Sequence, residues 1–166
     1  MTTLPEADFK FITASAARFI AFGFGSGLSP KAPGTFGSLL GVGFYFLLAP
    51  FFPSSAIFIL LVLLFALGVW ACDRTGRDLG VADHGGMVWD EIVAMMLVLS
   101  FTPLSVFWYM LAFALFRLFD IWKPFPIGFL EKEFKGGFGV MIDDIMAAIY
   151  AIGVIRVALW LFDSVH

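Results

Sequence analysis

The sequence predicts an all-α fold: a small integral-membrane helical bundle of about five short transmembrane helices in hairpins, plus an N-terminal amphipathic, interfacial helix. Three observations carry this. Of 166 residues, 61% are apolar and only 14% charged, against about 45–50% and about 25% in ordinary soluble domains. The charges are absent from long runs rather than diluted evenly. Those runs are interrupted by proline and serine, which make turns. The mean hydropathy is +0.97. This composition excludes a disordered chain and most soluble domains, and the net charge of −3 excludes a nucleic-acid binder that works through basic patches. Phe is frequent, at 22 residues, as suits a lipid-facing or tightly packed surface.

The elements are set by the charge gaps, and the whole chain, 1–166, reads as one membrane-embedded domain. Residues 9–23 place Lys10 and Arg18 among Phe9, Ile12, Phe19 and Phe22, the pattern of a helix lying in the interface plane. Ahead of it, MTTLPEADFKF has no small-residue cleavage site after an apolar core, so no signal peptide is expected. Residues 24–37 are rich in Gly, Ser and Pro and read as a loop. A helical bundle is then expected over 38–162. From Ala32 to Cys72 no Asp, Glu, Lys or Arg occurs over 41 residues, too long for one span of about 20 and right for two. Pro50, Pro53, Ser54 and Ser55 supply the turn, giving helices near 38–49 and 56–72. A second uncharged run covers Ile92–Phe116, 25 residues. Pro103 removes a helical donor and Ser105 can cap the next helix, so this run predicts helices near 87–100 and 105–122. The last helix is expected near 140–162.

In this hairpin topology the segments 24–37, 73–90 and 117–139 share one side. They hold Lys31, Arg74, Arg77, Arg117, Lys123, Lys132 and Lys135, while the turns at 50–55 and 100–105 and the tail after Phe162 hold no Lys or Arg. The positive-inside rule makes the basic side cytoplasmic.

That side also collects the unusual chemistry. Asp83-His84-Gly85-Gly86-Met87-Val88-Trp89-Asp90-Glu91 and Gly136-Gly137-Phe138-Gly139-Val140-Met141-Ile142-Asp143-Asp144 each bring two adjacent carboxylates into the opening turn of an apolar helix. The helix dipole favours an acid there. Two pairs within apolar sequence exceed what capping needs, and ionisable groups at membrane depth are costly and usually functional. Four clustered carboxylates suit a hard cation such as Mg²⁺ shared with a substrate phosphate. Arg117, Asp120 and Lys123 recur at three-residue spacing on one helical face. On their own they make a structural ion pair; beside a carboxylate cluster they read as phosphate ligands. Lys31, Thr35 and Ser38 lie in the glycine-rich approach, whose backbone N–H groups can meet an anion; the spacing is not that of a Walker loop. Only His84 and His166 are histidines, and Cys72, the lone cysteine, stands five residues before Arg77. Multi-histidine, C-x₅-R and nucleophilic-triad chemistries are therefore disfavoured.

The stretches FGSGLSPKAPGTFGS, DHGGMVWDEI, FRLFDIWKPFPI and GGFGVMIDDIMA, in this order from about residue 22 to 150, closely resemble the phosphatidylglycerophosphatase A family of bacteria. The resemblance implies a Mg²⁺-dependent lipid phosphatase of the inner membrane, with phosphatidylglycerophosphate as substrate and phosphatidylglycerol as product. It implies Asp90, Glu91, Asp143 and Asp144 as catalytic and metal-binding acids, with Thr35, Ser38, Arg117, Asp120 and Lys123 in family-type motifs. Two routes stay open: attack by a water activated by the ion, and attack by an aspartate. A small ion- or proton-coupled transporter is the rival reading, because intramembrane carboxylates also mark ion pathways.

Overall fold

The computed structural model describes residues 7–164. All secondary structure among them is helical. The arrangement is governed by a short helix, α5 (Trp89–Ser100). Its sequence, WDEIVAMMLVLS, is apolar all round after the opening acids, so no face of it is suited to water. Accordingly Ile92, Val93, Ala94, Met95, Met96, Val98 and Leu99 are all buried. Four helices enclose it: α3 (Pro33–Leu48), α4 (Ser54–Leu79), α6 (Val106–Trp122) and α8 (Gly137–Asp163).

The outer helices are exposed where they are most apolar. Phe58, Ile59, Val62 and Leu63 of α4, Val106, Phe107 and Met110 of α6, and Val154, Val157, Trp160 and Leu161 of α8 all face outward. Water would not tolerate so wide an apolar surface on a folded monomer, whereas lipid does. Two helices, α4 and α8, are long and apolar enough to cross a membrane, and only 28% and 22% of their most apolar stretches are buried. At 1.5 Å per residue each reaches about 39 Å, against roughly 24, 18 and 26 Å for α3, α5 and α6. The expectation of about five spans thus narrows, among the described residues, to two helices of spanning length with three shorter apolar ones packed beside them.

Several boundaries depart from expectation for physical reasons. The segment expected as a loop, 24–37, becomes regular helix only from Pro33, where α3 starts rather than at residue 38. Ahead of it, Gly23–Leu28 makes 3₁₀-type turns kinked by left-handed Phe24 (φ 57°) and Gly25 (φ 102°). Proline at the first helical position loses no bond and presets φ, with Ala32 before it left-handed at φ 48°. The N-terminal helix is two pieces, α1 (Phe9–Thr13) and α2 (Ala16–Ala21), broken at the extended Ser15. Ile12, Ala17, Ala21 and Phe22 are buried against the bundle, and Arg18 anchors α2 to α4 through Asp78 at 2.9 Å. Helix α4 runs seven residues past Cys72, ending at Gly80, whose φ of 72° closes the turn. A short α7 (Ile127–Glu133), which the sequence pattern does not predict, comes after the Pro124–Pro126 break. The turn at Pro103 is present. Ser105 stands at the N-cap position of α6 without a side-chain capping bond.

The most extensive helix contact is that of α3 with α5, and it depends on small residues. Gly34, Gly37, Ser38 and Gly41 recur at helical spacing on the buried face of α3. A Cβ at Gly41 would lie 2.6 Å from the Ile92 carbonyl oxygen and 3.1 Å from Met95 Cβ. Without a strong hydrophobic drive between helices in lipid, such close backbone contact is what holds them together. We expect Gly41→Ala, which meets backbone rather than a flexible tip, to destabilise the protein by about 1–3 kcal/mol, read as a lowered thermal midpoint in detergent.

Candidate active site

Topology alone brings the polar residues to one end. The chain leaves that end along α3, returns on α4, leaves on α5, returns on α6 and leaves on α8. The start of α3, the start of α5, the last turns of α6 and the start of α8 therefore converge, carrying Gly34, Asp90 and Glu91, Arg117 to Lys123, and Asp143 and Asp144.

Three of the four acids meet. Asp90, Glu91 and Asp144 each place one carboxylate oxygen within 4.8 Å of the others. Asp90 and Asp144 are buried, Asp144 only 3% exposed. Asp90 Oδ1, Glu91 Oε2 and Asp144 Oδ2 are enclosed with no hydrogen-bond donor in reach. Buried polar groups are ordinarily paired, and unpaired carboxylates are the most costly kind to leave. Asp143 faces another way: its Oδ2 lies 2.8 Å from Lys123 Nζ, and its Oδ1 accepts from the Asp144 amide. Adjacent residues on a helix point about 100° apart, so 143 and 144 cannot serve one point equally.

The cations come from α6. Arg117 Nη1 is 2.5 Å from Asp120 Oδ2 and 3.6 Å from Glu91 Oε1. Its Nε and Nη1 nevertheless form no well-aligned hydrogen bond and are enclosed, so the guanidinium keeps donors for a further acceptor. Lys123 ends α6 in the left-handed conformation, φ 46°, since Pro124 disfavours the right-handed one. That turn aims its side chain back at α8. Asp120 adds its charge beside Glu91 and Asp144. Five carboxylates thus stand against two cations from these elements, an excess of negative charge that a hard cation with oxygen ligands would neutralise. The donor set and the orphaned oxygens fit such an ion at Asp90, Glu91 and Asp144.

Thr35 and Ser38 fall in the first turns of α3. Ser38 Oγ donates to the Gly34 carbonyl at 2.8 Å and is buried, while Thr35 is half-exposed. The amides of Thr35 and Phe36 already donate to Ala32, which limits the anion cradle expected there. Lys31 is exposed in the approach to α3, outside the ion pairs that tie Arg117 and Lys123 to the acids. His84 Nδ1 accepts from the Gly86 amide and its ring lies against Phe22, a local structural role. A small cleft beside the acids is lined by Ala82, Asp83, Gly136, Val140 and Asp143.

Sequence reasoning missed Gly34. A Cβ there would overlap Glu91 Oε1 and lie 2.9 Å from Arg117 Nη1, so only glycine lets the Glu91–Arg117 pair seat against α3. The repeat of small residues at 34, 37, 38 and 41 was the available signal.

The fold and site together define a class: an α-helical bundle whose apolar exterior suits lipid, with a buried carboxylate triad that could hold a metal ion and with Arg and Lys beside it. The chain belongs to the phosphatidylglycerophosphatase A family, whose sequence profile matches residues 19–159. It is 47% identical over 147 residues to phosphatidylglycerophosphatase A of Haemophilus influenzae, covering 88% of this chain and 90% of that one. Against phosphatidylglycerophosphatase A of Escherichia coli the identity is 39% over 160 residues, 93% and 92% of the two chains. A putative phosphatidylinositol-3-phosphatase of Bacteroides thetaiotaomicron is 44% identical over 149 residues, 85% and 92%. No solved structure matches the chain.

Two outcomes test the site. Asp144→Asn removes one of the crowded buried carboxyls, so it should raise the thermal midpoint without divalent cation and abolish the rise expected of the unaltered protein on addition of Mg²⁺. Gly34→Ala presses only on movable side-chain tips; the midpoint should stay within about 2 °C while cation-dependent turnover falls at least about tenfold, a ~1.4 kcal/mol effect.

Proposed function

We propose that this protein is a Mg²⁺-dependent lipid phosphatase that removes the terminal phosphate of phosphatidylglycerophosphate at the cytoplasmic face of a bacterial inner membrane. The observation that carries it is the orphaned triad of Asp90, Glu91 and Asp144, faced by Arg117 and Lys123, at one end of a lipid-compatible bundle. Family membership supports the phosphatidylglycerophosphate headgroup in particular.

Asp90, Glu91 and Asp144 would hold the ion, which supplies charge neutralisation and polarisation of the phosphoryl oxygens. Arg117, fixed between Glu91 and Asp120, offers its uncommitted donors to a phosphate oxygen. Lys123 adds a second positive charge on the Asp143 side and can transfer from that carboxylate to substrate. Fixed cations of this kind act where negative charge is redistributed in phosphoryl transfer. The attacking group is water. The triad's free oxygens would be taken up as ligands and Asp143 is engaged by Lys123, which would leave no nearby carboxylate of these four to attack phosphorus.

The cytoplasmic orientation rests on charge. Arg74, Arg77, Arg117, Lys123 and Lys135 gather at the site end, with Lys31. At the other end, among the described residues, Arg156 lies over the Phe101 ring at the α5–α6 turn, so that end holds one basic group against several. The bias still points the site inward. Transport would need polar groups through the bundle, yet Ile92–Phe116 and Ile145–Ile155 contain no charged residue.

Purified protein in detergent should release phosphate from phosphatidylglycerophosphate with Mg²⁺ and lose the activity to a chelator; absence of release refutes the reading. Phosphatidylinositol 3-phosphate and phosphatidic acid should be poorer substrates in the same assay. Lys123→Ala should lower kcat/KM about tenfold or more, mainly through KM. Acid quench during turnover of labelled substrate should leave no phosphate on the protein, and a labelled aspartate would overturn the water route.

A further inference from the structure

The apolar exterior does not stop where the site begins. On α6 the outward-facing Val106, Phe107 and Met110 are followed by Ala114 and Leu118, and then by Ile121 and Trp122, beyond Arg117. The chain past the helix continues the same surface with Phe125, 82% exposed, and with Phe129 of α7. An exterior that met water at the level of the site would turn polar at Arg117, and this one does not. We propose that the end of α6 and the outer face of α7 form a surface embedded in the lipid leaflet, which sets the carboxylate triad about 8–10 Å beneath the polar boundary of the bilayer. This rests on the lipid-compatible exterior of the bundle and not on the phosphatase reading.

Three helices give the same depth. On α6, Trp122 lies about 7–8 Å along the axis past Arg117, which touches Glu91 at the triad. On α8, the exposed Phe138 lies about 9 Å before Asp144. On α4, the Asp73 amide would be 2.6 Å from a Cβ on Gly137. The first charge on that helix is therefore level with the start of α8, about 10 Å from Asp144 along the axis, and the exposed Trp70 stands just above it. Tryptophan and other aromatic side chains gathered at one level mark a membrane–water interface. None of these helices turns a charged side chain outward at the level of the triad, where Glu91, Arg117 and Asp120 face inward. On the α3 side the first exposed charge is Lys31, in the loop ahead of the helix. A tilt of about 20° shortens these depths by less than about 1 Å.

Bilayer thickness decides between the two placements. With the boundary at Arg117, the apolar length of α6 from Val106 would be about 16 Å, half of the roughly 30 Å hydrocarbon core. With the boundary at Trp122 it is about 24 Å, and α8 from Phe138 to Trp160 gives about 33 Å. A bilayer thinned by a few ångströms beside α6 accommodates both. The surface is held firmly. The Tyr150 hydroxyl of α8 donates to the Phe125 carbonyl at 2.9 Å, and Ile127 is buried in the core while Phe129 of the same short helix faces out. Glu133 and Lys135, both exposed, follow at the end of α7 and supply a polar rim.

The test places a nitroxide at Leu118→Cys, Phe129→Cys and Arg74→Cys in vesicles of dioleoyl phosphatidylcholine. Cys72 is buried, so the unaltered protein should take up no label. Collisions with oxygen, which concentrates in hydrocarbon, should exceed those with a water-soluble nickel chelate several-fold more at 118 and 129 than at 74. Nickel-dominated labels at 118 and 129 overturn the proposal, as do labels there shielded from both reagents, which would mean that a protein partner covers this face. In parallel, Phe125→Asp with Phe129→Asp should lower kcat/KM several-fold on dioleoyl phosphatidylglycerophosphate in vesicles and leave it unchanged on monomeric dihexanoyl phosphatidylglycerophosphate. An unchanged ratio between the two substrates overturns the proposal as well. Oxygen-dominated labels on a protein that hydrolyses neither lipid uphold the embedded surface and overturn instead the phosphatase reading.

Discussion

Burial of α5 is the constraint on which the rest depends. A twelve-residue helix that is apolar on every side must be enclosed by its neighbours, and its first turn carries Asp90 and Glu91. Enclosing the helix therefore encloses two carboxylates. Each neighbour answers this in its own way. α3 brings glycines, so that its backbone can come within contact distance of Ile92. α6 brings Arg117 to Glu91. α8 brings Asp144, which deepens the negative charge rather than relieving it. A fold selected only for stability would not add a third unpaired carboxylate to two others, because removing charge from water costs several kcal/mol per ion. A cation would complete the arrangement, and on the proposed reading the same burial that is costly without the ion would strengthen its hold on a phosphate.

The outside of the bundle obeys the opposite logic. The longest helices, α4 and α8, turn their apolar faces outward, and the inner helices are short. The polar end is finished by ion pairs on and beside α4: Arg77 with Asp73, Arg74 with Asp78 at 3.7 Å, and Arg18 with Asp78. Arg18 also lies over the Phe11 ring at 4.2 Å, which ties the first helices to the same end. These groups lie where headgroups and water can meet them. On the proposed lipid-phosphatase reading, a lipid phosphate would approach the triad from this end while its chains stay in apolar surroundings, which would match substrate and site in polarity along one direction.

Much of the fold is legible without coordinates. The turns at 50–55 and at Pro103 come from proline chemistry, which acts on its immediate neighbours. The gathering of polar groups at one end comes from hairpin connectivity. Helix limits are less legible where small residues intervene: Gly-Ser-Pro composition reads as a loop over 24–37, yet Pro33 starts a helix whose glycines exist for packing. The short α7 escapes sequence reasoning because it has too few residues for a periodic signal. Lys123 and Asp143 are both legible as site residues, but not their pairing, which depends on the left-handed turn at Lys123.

The sequence by itself determined the apolar class, the hairpin order, the end at which the chemistry sits and the residue types present there, because each of these depends on local composition and spacing. Only the tertiary structure decided that Asp90, Glu91 and Asp144 share one point while Asp143 turns to Lys123, and that Gly34 makes room for Glu91 and Arg117. These depend on rotation of helices about their own axes and on distances of a few ångströms between elements far apart in the chain, which no local pattern encodes.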